Sequence, residues 1–323
     1  MADPLVSVII TTYNHEKYIR SAIEGCLMQK TSFPFEIIIH DDASTDNTSS
    51  IVREYAETYP HQIIPVIQEE NLYNKGVKGA ERYHKFLEPL VKGKYIAHCE
   101  GDDYWIDPLK LEKQVTVMEK DPSISMCFTA VRVKFANCNR KNRIKRSYKG
   151  SCYCAPKDII LGNGGFSDLV SIIIPADIYD DLPEWYHLSP TGDVALNFLA
   201  MVRGKVYYLD EVTATYRFLS PGSWTVKSLT NVEFRECILR KHVLMSETFD
   251  KQTDFIYHEL IKRRITHKIK HFLIRNKGFI DYSDFYYERL SKREYFQVKL
   301  LQLLQLNKIW SQYMNIKRKI LRY

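Results

Sequence analysis

The 323-residue chain has no apolar run long enough to span a bilayer, and its N-terminus has no basic segment leading into a signal-type apolar core. These absences set the expectation of a cytoplasmic protein. Neither G-x-G-x-x-G nor G-x-x-x-x-G-K-[ST] occurs, which removes the glycine-rich loops that cradle phosphate with backbone N–H groups. The seven cysteines, at 26, 99, 127, 138, 152, 154 and 237, are odd in number and scattered among apolar neighbours, as in a chain that keeps its thiols reduced. Cys152 and Cys154 are the single close pair. Without a second pair or a nearby His cluster, zinc is not expected.

Apolar residues make up 45% and charged residues 26%, a composition that suits a soluble chain able to bury one large α/β domain with an appendage. The net charge of +7 is unevenly spread. Residues 235–323 hold 20 Lys and Arg against 9 Asp and Glu, which leaves 26 against 30 for residues 1–234. The basicity belongs to the C-terminal part. That part contains no recognisable nucleic-acid motif, and no nucleic-acid partner is expected.

Residues 6–135 read as repeated strand, loop and helix. "VSVIIT" is a β-branched run of strand length, followed by a polar loop and a helix over about 17–29; "FEIIIHDD" repeats the theme, with Ser44 or Thr45 placed to cap the next helix. A strand at 63–67, a helix at 79–91 and a strand ending at Glu100 follow. Then come a helix over "DPLKLEKQVTVMEKDP", a strand over "SMCFTAVRVKF", a basic loop at 136–151, a strand at "LVSIIIP", and a helix and strand across "TGDVALNFLAMVRGKVYYLDEVTATYRF". From about Leu229 onward the pattern is helical. Strands alternating with helices imply a doubly wound, mainly parallel sheet, whose ligands sit beyond the carboxyl ends of the strands. Three such ends carry polar or acidic side chains: Thr11 to Asn14, Asp41-Asp42, and Glu100 to Asp103.

The stretch "KYIAHCEGDDYWIDP" ends its apolar run on three carboxylates, Glu100, Asp102 and Asp103. Adjacent carboxylates on one loop are hard oxygen ligands of the kind that hold Mg2+ or Mn2+ while leaving positions for phosphate oxygens. With no glycine-rich cradle, phosphate would be handled mainly by such an ion.

Five segments in order, "VSVIITTYNHEKYI", "FEIIIHDDASTDNT", "GKYIAHCEGDDYWIDPLKLEKQ", "TGDVALNFL" and "VTATYRFLSPGSW", resemble the bacterial family 2 glycosyltransferases, inverting enzymes with the GT-A fold. The likeness covers residues 5 to about 225. It implies a catalytic domain over 1–228, with a nucleotide-sugar half over about 1–104 and an acceptor half over about 105–228, ahead of a helical basic region at 229–323. It implies a hexosyltransferase moving a sugar from a UDP-type donor to a hydroxyl of a glycan or polyprenyl-linked acceptor, in surface polysaccharide synthesis. Position by position, Thr11 and Tyr13 line the nucleotide pocket, Asp42 meets the uracil edge, and Asp102 and Asp103 meet ribose, diphosphate and Mn2+ or Mg2+. Asp193 is the catalytic base. Glu100, standing where Asp is commoner, and Trp105, Arg217 and Trp224 are candidates for acceptor or diphosphate contact.

Each assignment has a plainer counterpart. Asp42 and Asp193 could cap helices; Tyr13, Trp105 and Trp224 could be packing aromatics; Arg217 could pair structurally; His98 reads as a packed core residue. At the level of function, the acidic cluster also suits a glycoside hydrolase, and the basic half a nucleic-acid binder. A homo-oligomer is left open. Finally, Leu306, Ile309, Trp310, Tyr313, Met314, Ile316, Ile320 and Leu321 fall within an arc of about 160° at 100° per residue, opposite Lys308, Arg318, Lys319 and Arg322. This is the pattern of an interfacial helix, and it sets the expectation that the C-terminal region docks on the anionic inner face of the cell membrane.

Overall fold

The computed structural model describes residues 3–77, 79–135, 141–162, 165–220, 223–276 and 284–303. The expected interfacial helix at 306–321 lies outside them. The chain divides into two compact units, Met1–Val226 and Lys227–Tyr323.

The first unit runs β1 (Val6–Thr12), α1 (Ile19–Leu27), β2 (Phe35–Asp41), α2 (Thr48–Thr58), β3 (Ile63–Ile67), α3 (Gly79–Arg82), β4 (Tyr95–Glu100), β5 (Tyr104–Trp105), α4 (Lys110–Lys120), β6 (Ile124–Phe135), β7 (Arg143–Lys145), β8 (Cys152–Tyr153), α5 (Pro156–Leu161), β9 (Ile173–Pro175), α6 (Glu184–Leu188), α7 (Gly192–Arg203) and β10 (Lys205–Phe218). One sheet gathers the strands in the order β3-β2-β1-β4-β9-β6-β10-β5, with β7 added to β6 and β8 to β10. β1, β2, β3 and β4 are mutually parallel. β9 runs antiparallel between β4 and β6, and β10 returns parallel to β6. The carboxyl ends of β1, β2, β4, β6 and β10 therefore share one edge.

The near-continuous Val and Ile runs of β1 and β2 have both faces covered, as parallel strands require. Helical spacing supplies the cover. Ile19, Ala22, Ile23 and Cys26 recur at the period of one α1 face, and Leu111, Val115 and Met118 do the same in α4; both rows enter the core formed with Val8, Ile10, Ile37, Ala97 and Val131.

Three local expectations change. The segment 79–91 is not one helix: α3 passes into a π turn at Tyr83–Leu87 and a 3-10 turn at Glu88–Leu90, where Pro89 has no N–H to continue an α ladder. Neither Ser44 nor Thr45 caps α2, which begins after Asn47; the Ser44 hydroxyl instead donates to Asp41. Within the basic loop, β7 pairs with β6, Val131 facing Lys145 and Val133 facing Arg143.

The second unit is helical among its described residues. α8 (Trp224–Thr230) leads into it, and Asn231 caps α9 (Val232–Gln252) by accepting the Phe234 N–H. α10 (His258–Arg275) follows a turn in which Asp254 and Phe255 take positive φ, and α11 (Asp284–Tyr287) and α12 (Lys292–Leu303) complete it. Among the described residues no helix is long and apolar enough to cross a membrane.

One core residue is unusual. Lys110 is fully buried, with its ammonium 2.7 Å from Gln114 Oε1 and 4.4 Å from the Trp105 ring centroid. Burial lowers its pKa to about 8. Below pH 8 the ammonium is charged in both folded and unfolded chains; between pH 8 and 10.5 the unfolded chain holds more protons, so stability rises with pH. In urea unfolding the wild type should gain about 2 kcal/mol from this residue between pH 8 and 10 relative to Lys110→Met. Parallel pH profiles for the two proteins would refute the assignment.

Candidate active site

The site is built at the shared carboxyl edge. Thr11 and Tyr13 are exposed at the end of β1, and the Thr11 carbonyl accepts the Gly101 N–H, which joins this end to the acidic loop. Thr12, His15 and Gly101 meet closely: His15 Nδ1 lies 3.2 Å from the Thr12 hydroxyl, and burial lowers the His15 pKa. A Cβ on Gly101 would stand 2.5 Å from Thr12 Oγ1 and 2.8 Å from His15 Nδ1. Only a residue without a side chain fits between Glu100 and Asp102.

Asp42 does not cap α2. Its carboxylate accepts the N–H groups of Leu72 (2.8 Å) and Tyr73 (3.1 Å), with Arg82 at 3.5 Å, and its side chain is almost fully buried. It clasps the loop after β3 to the end of β2. To meet a base edge, as the resemblance implies, this loop must shift.

The acidic loop separates its carboxylates. Asp103 is fully buried: Oδ1 accepts the Arg217 backbone N–H at 2.7 Å, and Oδ2 has neither a partner nor solvent. Burial, with Asp102 and Glu100 adding repulsion, holds its carboxyl well above the usual range. Through Oδ1 it anchors the loop to β10, and its unpartnered Oδ2 is the atom that the expected metal role would use. Glu100 and Asp102 remain only partly buried, and their side chains receive no hydrogen bond among the described residues. Burial, then Asp102, Asp193 and Asp168, push the Glu100 carboxyl up to about 8.

Arg217 leans over this loop. Its guanidinium donates to the Asp102 carbonyl and stacks 4.3 Å from the Tyr104 centroid and 5.0 Å from that of Tyr18. Trp105, expected as either a ligand contact or a packing aromatic, is 1% exposed and donates its indole N–H to the Val170 carbonyl, so its ring packs in the core. Trp224 is half-exposed at the start of α8.

Asp193 stands in the first turn of α7, two residues after the N-cap Thr191, and burial raises its pKa. α7 is fixed by Asn197, which donates to the Asp193 carbonyl and accepts from Ser167. Next to Ser167 comes a pair the sequence did not disclose: Asp168 bonded through both oxygens to Lys145 at 2.7 Å. Asp168 raises the pKa of both Glu100 and Asp193, whereas Lys145 lowers that of Asp193. No local motif marks Asp168 or Lys145; only the return of β7 to β6 places them here.

Among the described residues no three or more His, Cys, Asp or Glu side chains are grouped to hold a metal ion. Glu100 and Asp102, both lacking a protein donor, suit a cation whose remaining ligands come from a substrate's oxygens. Their partial exposure and the burial of Asp103 predict a contrast. Asp103→Ala should cost about 1–3 kcal/mol of stability by orphaning the Arg217 N–H, and Asp102→Ala less than about 0.5 kcal/mol, read by urea denaturation. Gly101→Ala should lower stability by about 1–3 kcal/mol through overpacking, and equal melting temperatures would refute the close fit.

Comparisons with known proteins bear on the family and the fold. Residues 7–166 match the model of glycosyl transferase family 2. An uncharacterised protein of Mycobacterium bovis is 31% identical over 280 residues, covering 84% of this chain and 75% of its own. The Escherichia coli UDP-Glc:alpha-D-GlcNAc-diphosphoundecaprenol beta-1,3-glucosyltransferase WfaP is 38% identical over 117 residues, 36% of this chain and 42% of that protein. Staphylococcus aureus TarS, solved with UDP-GlcNAc, superposes with a TM-score of 0.53 at 18% identity over 83% of this chain and 80% of that one. The mannosyltransferase PcManGT of Pyrobaculum calidifontis, solved with GDP-Man and Mn2+, gives 0.54 at 15% identity over 98% and 85%. The α/β architecture is the GT-A fold, and the chain belongs to glycosyl transferase family 2 as a glycosyltransferase.

Proposed function

We propose that the protein is an inverting, divalent-metal-dependent transferase that moves a hexose from a nucleotide diphosphate donor, UDP before GDP, to a hydroxyl of a glycan or lipid-linked acceptor in surface polysaccharide synthesis. The observation that carries this is the pair Glu100 and Asp102, without a donor among the described residues, on the same edge as Asp193. The glucosyltransferase relative named for a diphosphoundecaprenol acceptor, and the neighbours solved with nucleotide sugars and Mn2+, support the reading.

In this reading Thr11 and Tyr13 flank the nucleotide, and Asp42 meets its base once the 71–73 loop shifts. Asp193 accepts the proton of the acceptor hydroxyl as that oxygen attacks the sugar C1, while the nucleotide diphosphate departs from the opposite face. A Mg2+ or Mn2+ ion held by Asp102 and Glu100 would supply positive charge to that diphosphate. Arg217, packed on Tyr18 and Tyr104, fixes the loop that carries them. The basic second unit supports peripheral attachment to an anionic membrane face, where a lipid-linked acceptor is presented.

Asp193→Asn should keep near-normal affinity for the donor and lose about 10² to 10⁴ in turnover, the usual contribution of a general base. Asp102→Asn should abolish both transfer and the Mn2+-dependent thermal stabilisation by UDP. Undiminished turnover by Asp193→Asn, or full wild-type activity in excess EDTA, would refute the respective role.

A further inference from the structure

Cations in the first unit are concentrated in one place. Residues 1–226 hold 25 Lys and Arg against 29 Asp and Glu; eight of these cations, and no acid, fall within residues 132–149, which leaves 17 against 29 elsewhere. A charge run of this kind is ordinarily a solvated connection. Here β7 folds back on β6, so Arg132 and Lys134 on β6 and Lys141, Arg143 and Lys145 on or beside β7 share a hairpin at the carboxyl end of β6, whereas Arg146 and Lys149 follow it toward Asp210. β6 is parallel to β10 and, through the antiparallel β9, to β4. The hairpin therefore leaves the sheet at the edge where Glu100 and Asp102 stand. Lys134 is the register partner of Arg217, one strand spacing of about 4.8 Å away.

Two of the cations have acids: Lys145 is bonded to Asp168, and Arg146 to Asp210. Arg132, Lys134, Lys141 and Lys149 are exposed and make no ion pair among the described residues. Like charges gathered on one hairpin repel, and an incoming anion would relieve that repulsion. Sheet order indicates which substrate it serves. Thr11, Tyr13 and Asp42 lie on strands to one side of β4, whereas the hairpin lies on the other, with Asp168.

We propose that the hairpin of β6 and β7 binds phosphate groups of the acceptor, so that the acceptor is a phosphorylated rather than a neutral glycan. The inference rests on the glycosyltransferase reading above. Arg132, Lys134 and Lys141 hold the phosphates through charge-assisted hydrogen bonds, and Lys145 keeps the Asp168 end of the hairpin in place.

The test measures binding by the full chain at low salt, with octyl diphosphate, octyl glucoside and octyl glucuronide as probes. The wild type should bind octyl diphosphate, more weakly as NaCl is added, and neither of the others. The triple variant R132E/K134E/K141E should lose about tenfold or more, since one charge-assisted bond is worth at least that factor. Its melting temperature and its affinity for UDP with Mn2+ should stay unchanged, and R132K/K134R should retain binding.

Equal binding of octyl glucoside or octyl glucuronide, or an unaffected triple variant, would overturn the proposal. So would a triple variant that loses UDP instead, or one that releases phosphatidylglycerol vesicles while still holding octyl diphosphate. A wild type that neither binds nor hydrolyses any nucleotide sugar would strike the glycosyltransferase reading alone, because the octyl diphosphate comparison reads the hairpin without a donor.

Discussion

The hydrogen bond from the Arg217 N–H to the buried Asp103 carboxylate ties the acidic loop after β4 to β10. It holds the end of β4 against the end of β10, and the short β5 continues the join by pairing Trp105 with Ala214. Because Asp103 is committed to this bond, Asp102 is left partly open on the same turn. The Arg217 guanidinium then closes over the loop, pinned between two tyrosine rings. A carboxylate that is buried with one oxygen unpaired is costly. Its cost secures a loop in which two other carboxylates stand together without donors, an arrangement no stability argument would select.

Much of this was legible in the sequence because it rests on local pattern. The apolar runs of β1, β2 and β4, and the one-face periodicity of α1 and α4, are set by residues adjacent in the chain, and the parallel order follows from their alternation. The polar strand ends also pointed to the edge where Glu100 and Asp102 stand. What local pattern cannot distinguish is Asp102 from Asp103: neighbours in sequence, they differ only in which one meets β10. Trp105 was ambiguous for the same reason, since its partner Val170 lies 65 residues on. The ion pair of Lys145 and Asp168 has no motif at all. Asp42 shows a subtler limit, for the residue is at the expected edge but its oxygens are occupied by backbone N–H groups of a loop some 30 residues later.

Electrostatics divides the edge into two districts. Around β4, carboxylates outnumber any nearby cation, and Glu100 is pushed to about 8 as a result. Around β6 and β7 the imbalance is reversed. Lys145 and Asp168 form the border between them, and each acts on Asp193 in the opposite sense. Asp193 thus feels burial and Asp168 pushing its pKa up while Lys145 and hydrogen bonds from Thr191 and Val194 pull it down.

The long sequence separation between Asp103 and Arg217 also orders events at birth. The four strands β3, β2, β1 and β4 are contiguous in the sheet and come from the first 100 residues, so they can pair as soon as they leave the ribosome. Arg217 follows 114 residues behind Asp103, an interval of roughly 6 to 23 s at bacterial and eukaryotic synthesis rates. For that time the acidic loop is tied to β1 through the Gly101 N–H but has no partner for Asp103. The nascent chain thus owns its first β-layer well before it owns an active site, and a translation pause between residues 103 and 217 would lengthen the life of a half-sheet whose β4 edge is bare.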